Sequence, residues 1–258
     1  MDLPKISVII PSFNKAKYID QTLKSIFDQK YNNLEVIVQD GGSTDGTLET
    51  IKKYARKYPK NVKWESGKDK GQLAAINKGF RNSNGDILTY INADDLYERG
   101  AFEEVAKHYL LNPEVLWLAG RGGVIDLNGG KIAVFATRYK NFLLRLNSYP
   151  LILMTNYFMQ PSVFIARSAY KKYGPFTGTG DFVMEYNLWL KLGRVQMPQV
   201  VNKDLSMFRI GPENITSLQT TRILKEDEKI AKKYTGNWLI LALHKIHNLA
   251  RKAIGIAL

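Results

Sequence analysis

Three short segments place acids where a ligand could use them. The first is Asp40, within Val38-Gln39-Asp40-Gly41-Gly42-Ser43-Thr44-Asp45-Gly46. A carboxylate that closes an apolar run can accept hydrogen bonds from a base or a ribose, and the adjoining glycines let a ligand approach the backbone. Asp45 stands where a helix cap belongs, as do Ser43 and Thr44. The second segment is Glu65-Ser66-Gly67-Lys68-Asp69-Lys70-Gly71-Gln72. Lys68 and Lys70 could meet phosphates beside the N-terminus of the following helix; a solvated loop in which Asp69 favours that helix start fits equally. The third is Asn92-Ala93-Asp94-Asp95. Adjacent acids repel each other and cost stability unless something positive lies beside them. A divalent ion carrying a diphosphate is the natural partner, because Mg²⁺ takes one or two protein carboxylates and completes its shell with phosphate oxygens and water. Alone, Asp-Asp before Leu96 also reads as a capped helix start. Three acidic segments at successive strand ends make a stronger signal.

The elements that must position these acids alternate in period. Residues 6–10, 34–38, 62–64 and 86–92 are short apolar runs that read as strands. Between them, residues 18–29, 44–58 and 72–82 carry helical spacing, for instance Ile19, Leu23, Ile26 and Phe27. Such alternation predicts an α/β fold with an open, mostly parallel sheet covered by helices on both faces. Ligands of these sheets sit at the carboxyl ends of the strands, where the three acidic segments fall.

Composition narrows the classes. The chain has 258 residues, a span for one large domain or one domain with a small lobe. It has no cysteine, which excludes disulfide scaffolds, thiolate metal sites and cysteine nucleophiles. Its three histidines, His108, His244 and His247, argue against a multi-histidine zinc centre. Thirty-seven Lys and Arg against 24 Asp and Glu give a net charge of +13, which favours anionic partners: nucleic acid, a lipid surface or phosphate-bearing substrates. The N-terminal residues carry no secretory signal, and no segment approaches the ~18 apolar residues of a membrane span. The expectation is a cytoplasmic protein, peripheral on the inner face of the cell membrane.

The second half reads differently. Residues 120–137 suggest a β-hairpin turning at Asn128-Gly129-Gly130. Residues 127–180 hold seven Lys or Arg and no acid, and within them 142–159 is strongly apolar, either a core helix pair or a surface against anionic lipid. A helix is expected over 181–192, a strand over 200–208 and a charged amphipathic helix over 221–234. The tail, 238–258, pairs a broad apolar side with Lys245, His247, Arg251 and Lys252, and no acid follows Glu228. It is either a helix packed on the domain or, as we favour from the charge, a basic amphipathic helix lying in a membrane interface.

Residues 6–14, 38–47 and 85–95, in that order and spacing, resemble the nucleotide-sugar-binding half of family-2 glycosyltransferases; Asp69-Lys70-Gly71 followed by Ala75-Ile76-Asn77-Lys78-Gly79 is similar to a subgroup of O-antigen and capsule assembly. The resemblance covers about residues 5–210. It implies a GT-A fold and inverting transfer of one sugar from a nucleoside-diphosphate sugar, with uridine as the preferred base, to a saccharide or lipid-diphosphate-linked saccharide. It also implies that Ser12 and Asp40 line the nucleoside pocket, with Asp69 and Lys70 nearby. Asp94 would hold the ribose or the metal shell, and Asp95 the Mg²⁺ or Mn²⁺ that bridges the diphosphate. Met184-Glu185-Tyr186-Asn187-Leu188-Trp189-Leu190 resembles the family's acid-Tyr-acid-Leu-Trp-Leu segment, which makes Glu185 the base and Asp181 its alternative; Asn187 replaces the second acid. Gln160-Pro161-Ser162 resembles the acceptor-side segment. Gly211 stands where many relatives carry histidine, leaving Arg209 as a diphosphate contact.

The division implied is a nucleotide-sugar-binding half at 1–120, an acceptor half at 121–212 and a helical extension at 213–258. Two other readings compete. A metal-dependent nucleotidyltransferase of related fold would need a Gly-rich basic loop after the first strand, and Pro11-Ser12-Phe13-Asn14-Lys15 is not one. A nucleic-acid-binding protein would interleave aromatics with basic residues, whereas the cations here accompany aliphatic runs. No nucleic acid partner is expected.

Overall fold

A computed structural model describes residues 3–178, 183–211 and 219–253. The strands are β1 (Ile6–Ser12), β2 (Leu34–Asp40), β3 (Val62–Ser66), β4 (Ile87–Tyr90), β5 (Leu96–Tyr97), β6 (Trp117–Ile125), β7 (Val163–Ala166) and β8 (Gln199–Arg209). The helices are α1 (Ile19–Phe27), α2 (Thr47–Lys57), α3 (Gln72–Asn82), α4 (Ala101–Leu111), α5 (Val134–Leu146), α6 (Tyr149–Met154), α7 (Arg167–Tyr173), α8 (Met184–Gly193), α9 (Thr220–Tyr234) and α10 (Trp238–Ala253). All eight strands form one sheet in the order β3-β2-β1-β4-β7-β6-β8-β5. The first four are parallel; β7 runs antiparallel to β4 and β6, and β5 antiparallel to β8.

The continuous apolar run of β1 follows from burial on both faces. Val8 and Ile10 join the layer that holds Ile19, Leu23 and Ile26 of α1, whereas Ile9 joins the opposite layer with Ile76 and Phe80 of α3. Gly79 permits that second contact, since a Cβ there would lie 2.5 Å from Ile9 Cγ2. Helix α3 is thereby laid close on the sheet, with its N-terminus at the strand ends.

Parallel register carries Ser12 opposite Asp40 and Asp40 opposite Ser66, so the three form one row at the carboxyl edge. Strand β4 runs the same way beside β1, with Ile9 opposite Tyr90, so Asn92 to Asp95 leave the sheet at that same edge. The acidic segments therefore converge as strand polarity requires.

The expected hairpin over 120–137 is reduced to its turn and one antiparallel bridge, with no return strand. Strand β6 ends at Ile125, the Asp126 carboxylate accepts the N–H groups of Asn128 and Gly130, and the chain enters α5 after one isolated bridge from Ile125 to Lys131. Strand β7 pairs only with Trp117–Ala119 of β6, and the returning chain meets the end of β6 through that bridge and the Ile132 N–H to the Val124 carbonyl at 3.0 Å before it turns into α5 at Val134. The apolar run 142–159 divides: Leu143, Leu144, Ile152, Leu153, Tyr157, Phe158 and Met159 enter the core, while Phe142 and Leu146 stay exposed.

Candidate functional site

The loop after β2 is folded around Asp40. Its Oδ2 accepts the N–H of Gly42 at 3.0 Å, the N–H of Ser43 at 2.9 Å and the Ser66 hydroxyl at 2.7 Å, and Oδ1 accepts the Ser43 hydroxyl. Gly42 takes φ +88°, the left-handed region that glycine enters without strain. Beside this carboxylate the Ser12 hydroxyl is buried and has no hydrogen-bond partner. A buried unpaired hydroxyl costs about 1–3 kcal/mol, a cost a ligand at the strand end would remove. Asp69 closes its own turn through the Gly71 N–H and approaches Gly41 across the cleft, as does the exposed ring of Phe13. Asp40, Ser66, Asp69, Lys68 and Lys70 line one cleft of about 320 Å³, within the range of small-ligand sites. Gly46, not Asp45, is the N-cap of α2; Asp45 stands just before it, and its Oδ1 accepts the Thr47 N–H at the start of the helix.

Asp94 and Asp95 are held differently. Asp95 is fully buried; Oδ1 accepts the backbone N–H of Arg209 at 2.7 Å and Oδ2 accepts from Asn92 at 3.2 Å. Burial, with the neighbouring Asp94 charge, pushes its carboxyl well above the usual carboxylate range. Asp94 turns toward Lys15, whose ammonium lies 2.7 Å from its Oδ2. Lys15 belongs to the loop after β1, which is tied to the Asp40 loop through Asn14 N–H to Ser43 Oγ. A single chain of bonds thus links Asp40, Ser43, the Asn14–Lys15 loop and Asp94.

Two adjacent carboxylates suit a divalent cation that also holds phosphate oxygens. Among the described residues there is no cluster of three His, Cys, Asp or Glu, so a cation there would draw the rest of its shell from substrate and water. Asp94 is the more reachable of the pair, and Asp95 stands behind it.

Arg209 is placed as a clamp. It is buried, with Nε donating to the Asp94 carbonyl, Nη1 to the carbonyls of Asp126 and Leu127, and Nη2 to Gln21 Oε1, while its guanidinium lies over the Tyr18 ring. These bonds fix the acidic turn beside which a diphosphate contact was expected.

Glu185, at the start of α8, reaches the same edge from the other half. Tyr90, the last residue of β4, donates its hydroxyl to Glu185 Oε1. Burial pushes the Glu185 carboxyl up from the usual value, with the Tyr90 hydrogen bond pulling the other way. Gln160 donates to the Tyr90 carbonyl at 2.8 Å, and its Oε1 is buried without a partner. Asn92 is braced by Gln72 of α3 at 2.6 Å. Asp181, the alternative base, lies outside the described residues. Sequence reasoning missed Lys15, Tyr90 and Gln72. Each is a common residue type whose role comes from a partner 20 to 95 positions away.

Several solved structures share this architecture. A mannosyltransferase from Pyrobaculum calidifontis in complex with GDP-Man and Mn²⁺ superposes with TM-score 0.69 at 19% identity, over 98% of this chain and 76% of that one. TarS 1-349 of S. aureus in complex with UDP-GlcNAc gives TM-score 0.66 at 16% identity, over 96% and 72%. The fold is therefore GT-A, with helices appended at its C-terminal end. In sequence, an uncharacterized glycosyltransferase of Haemophilus influenzae is 29% identical over 66% of this chain and 66% of its own length. A dolichyl N-acetyl-alpha-D-glucosaminyl phosphate 3-beta-D-2,3-diacetamido-2,3-dideoxy-beta-D-glucuronosyltransferase of Methanococcus voltae is 37% identical over 47% of this chain and 39% of its own. The matches thus span about two fifths to two thirds of these two relatives. The family model described as glycosyl transferase family 2 matches residues 7–172, taking in β1 to β7 and every acidic strand end, and on that match the chain belongs to glycosyl transferase family 2.

Proposed function

We propose that this protein is a metal-dependent, inverting glycosyltransferase. It moves one sugar from a nucleoside-diphosphate sugar, uridine-linked by preference, to a saccharide or lipid-diphosphate-linked saccharide of bacterial surface polysaccharide, and it works peripherally at the inner face of the cell membrane. Residues 1–120 take the donor, 121–212 the acceptor, and 213–258 form an extension. The observation that carries the reading is the convergence of Asp40 and Asp94 at one sheet edge, linked through the Asn14–Lys15 loop, with Glu185 of the other half bonded to Tyr90, the last residue of β4.

In this reading Ser12 and Asp40 hold the nucleoside, with Asp69 and Lys70 across the cleft. Asp94 and Asp95 would hold Mg²⁺ or Mn²⁺, which supplies positive charge against the departing diphosphate. Arg209 keeps both acids in place. Glu185 Oε2 takes the proton of the acceptor hydroxyl while that oxygen bonds to the anomeric carbon. The carbon–oxygen bond to the diphosphate breaks, its electron pair leaves with the nucleoside diphosphate, and the configuration at carbon inverts. Tyr90 keeps Glu185 turned to the edge. The donor-bound forms of the similar folds support nucleotide sugars as the substrate class.

A donor screen with purified protein and Mn²⁺ tests this. Release of nucleoside diphosphate from one nucleotide sugar is expected; release of pyrophosphate would move the protein to the nucleotidyltransferases, and loss of neither product on adding a chelator would remove the metal.

A further inference from the structure

Helix α10 turns much of its apolar surface away from the protein it packs on. A surface helix buries its apolar stripe and shows its polar one. Here the inward side carries Ile240 and Leu241 against the core, but also His244 on the Leu153 carbonyl, Asn248 on the Leu224 carbonyl and Arg251 on the buried Asp227 at 2.8 Å. The outward side carries Trp238, Leu239, Ile246 and Leu249, with Trp238 77% exposed. Helix α5 repeats the arrangement. Leu143 and Leu144 point in, whereas Val134, Phe135, Tyr139, Phe142 and Leu146 point out, Phe135 being 86% exposed. The two outward faces adjoin where the Tyr139 hydroxyl meets His247 Nε2 at 2.6 Å.

Of the fourteen large hydrophobic residues exposed among the described residues, ten lie on this surface, six between Ile132 and Leu146 and four on α10. Contiguous exposed apolar surface marks an interaction site rather than ordinary scatter. Its charged members, Arg138 and Arg145 on α5 and Lys245 and Lys252 on α10, are exposed, and neither helix holds an acid. Aromatic and aliphatic side chains mixed with cations alone suit an anionic bilayer, which takes the apolar groups into its interface and pairs the cations with lipid phosphates. No described helix is long and apolar enough to cross a membrane, so the helices would lie in its plane.

We infer that the joined outward faces of α5 and α10 dock on an anionic lipid surface and hold the acidic sheet edge beside it. The link to that edge is short. The Asp126 and Leu127 carbonyls, which receive Arg209, lead within eight residues to α5. Helix α6 joins the other side: its Ile152 carbonyl takes the hydroxyl of Tyr186, next to Glu185, and its Leu153 carbonyl meets His244 of α10. That the docked edge receives a lipid-linked acceptor rests on the proposed transferase reading; the docking itself does not.

Vesicle flotation of the full chain tests it, using phosphatidylglycerol-containing and purely zwitterionic vesicles. The wild type is expected to float with the anionic vesicles and much less with the zwitterionic ones. The pairs F135S/F142S and W238S/I246S should each weaken flotation at least tenfold. R138Q/R145Q should weaken it roughly fivefold per residue, an effect that high salt reproduces in the wild type. All six residues are exposed, and nucleoside diphosphate release to a water-soluble acceptor should persist in every variant. Wild-type failure to float, variants floating like wild type, or a stable dimer that the same substitutions dissolve would each overturn the inference. Flotation without any nucleotide-sugar turnover would support the dock and sink the transferase reading; turnover without flotation would do the reverse.

Discussion

Two side chains at the sheet edge are built for something that the polypeptide does not provide. Ser12 is buried beside Asp40 with an unpaired hydroxyl, and Gln160 is fixed by its amide nitrogen while its oxygen stays unpaired. Removing an unpaired buried hydroxyl does not weaken the fold, so S12A should keep or slightly raise the melting temperature while raising the donor KM roughly tenfold. A purely structural Ser12 would give the opposite pair of results. Glu185 makes a sharper case. Burial raises its folded pKa above the ordinary glutamate value, so the folded state favours the protonated acid, and stability falls as pH rises from that ordinary value through the raised one. A base must be ionised, so the acid limb of the kcat/KM profile should lie above the ordinary glutamate range. E185Q should lower kcat by about 10²–10⁴-fold, leave donor binding intact and raise the melting temperature at neutral pH. Full activity in E185Q would shift the base to Asp181 or another group.

At the scale of elements, the site depends on strand polarity and on one arginine. Parallel β1, β2 and β4 send their carboxyl ends the same way, and this was legible from the alternation of strand-like and helical runs, as were the acids that follow them. The turn at Asn128-Gly129-Gly130 was legible too, but a turn signal does not say how long the returning chain stays extended, and here it keeps one bridge before α5. Arg209 was visible as a residue but not as a clamp: its carbonyl partners, those of Asp94, Asp126 and Leu127, have no sequence signature. With these carbonyls left unpaired in a buried site, R209A should cost about 3 kcal/mol or more in urea denaturation. R209K should not restore it, since a lysine ammonium cannot span acceptors that a planar guanidinium reaches with several donors. Were Arg209 mainly a diphosphate contact, R209A would instead leave stability unchanged and raise the donor KM.

The whole molecule joins a sheet edge where acids stand among Lys15, Lys68 and Lys70 to a surface of α5 and α10 whose charged residues are all cations. The amphipathic pattern of the tail announces two faces without saying which one turns in. That is decided by Asp227 and the Leu153 and Leu224 carbonyls, groups 24 to 91 residues away that bind the polar face. The same junction buries Lys140, whose ammonium reaches the Phe158 carbonyl at 3.3 Å. Burial, with Arg251 nearby and Asp227 opposing, holds its pKa down at about 7 instead of 10.5. Between those two values the unfolded chain binds the proton and the folded one releases it, so the folded state gains stability as pH rises from about 7 toward 10.5. K140M removes the buried amine with little change of length. Its melting temperature should therefore exceed that of the wild type at pH 7, and the gain should shrink steadily as the pH approaches the ordinary lysine value. A gain that stayed constant across that range would mean that shape, not charge, sets the cost of Lys140, and a loss of stability would mean that its bond to Phe158 outweighs its burial.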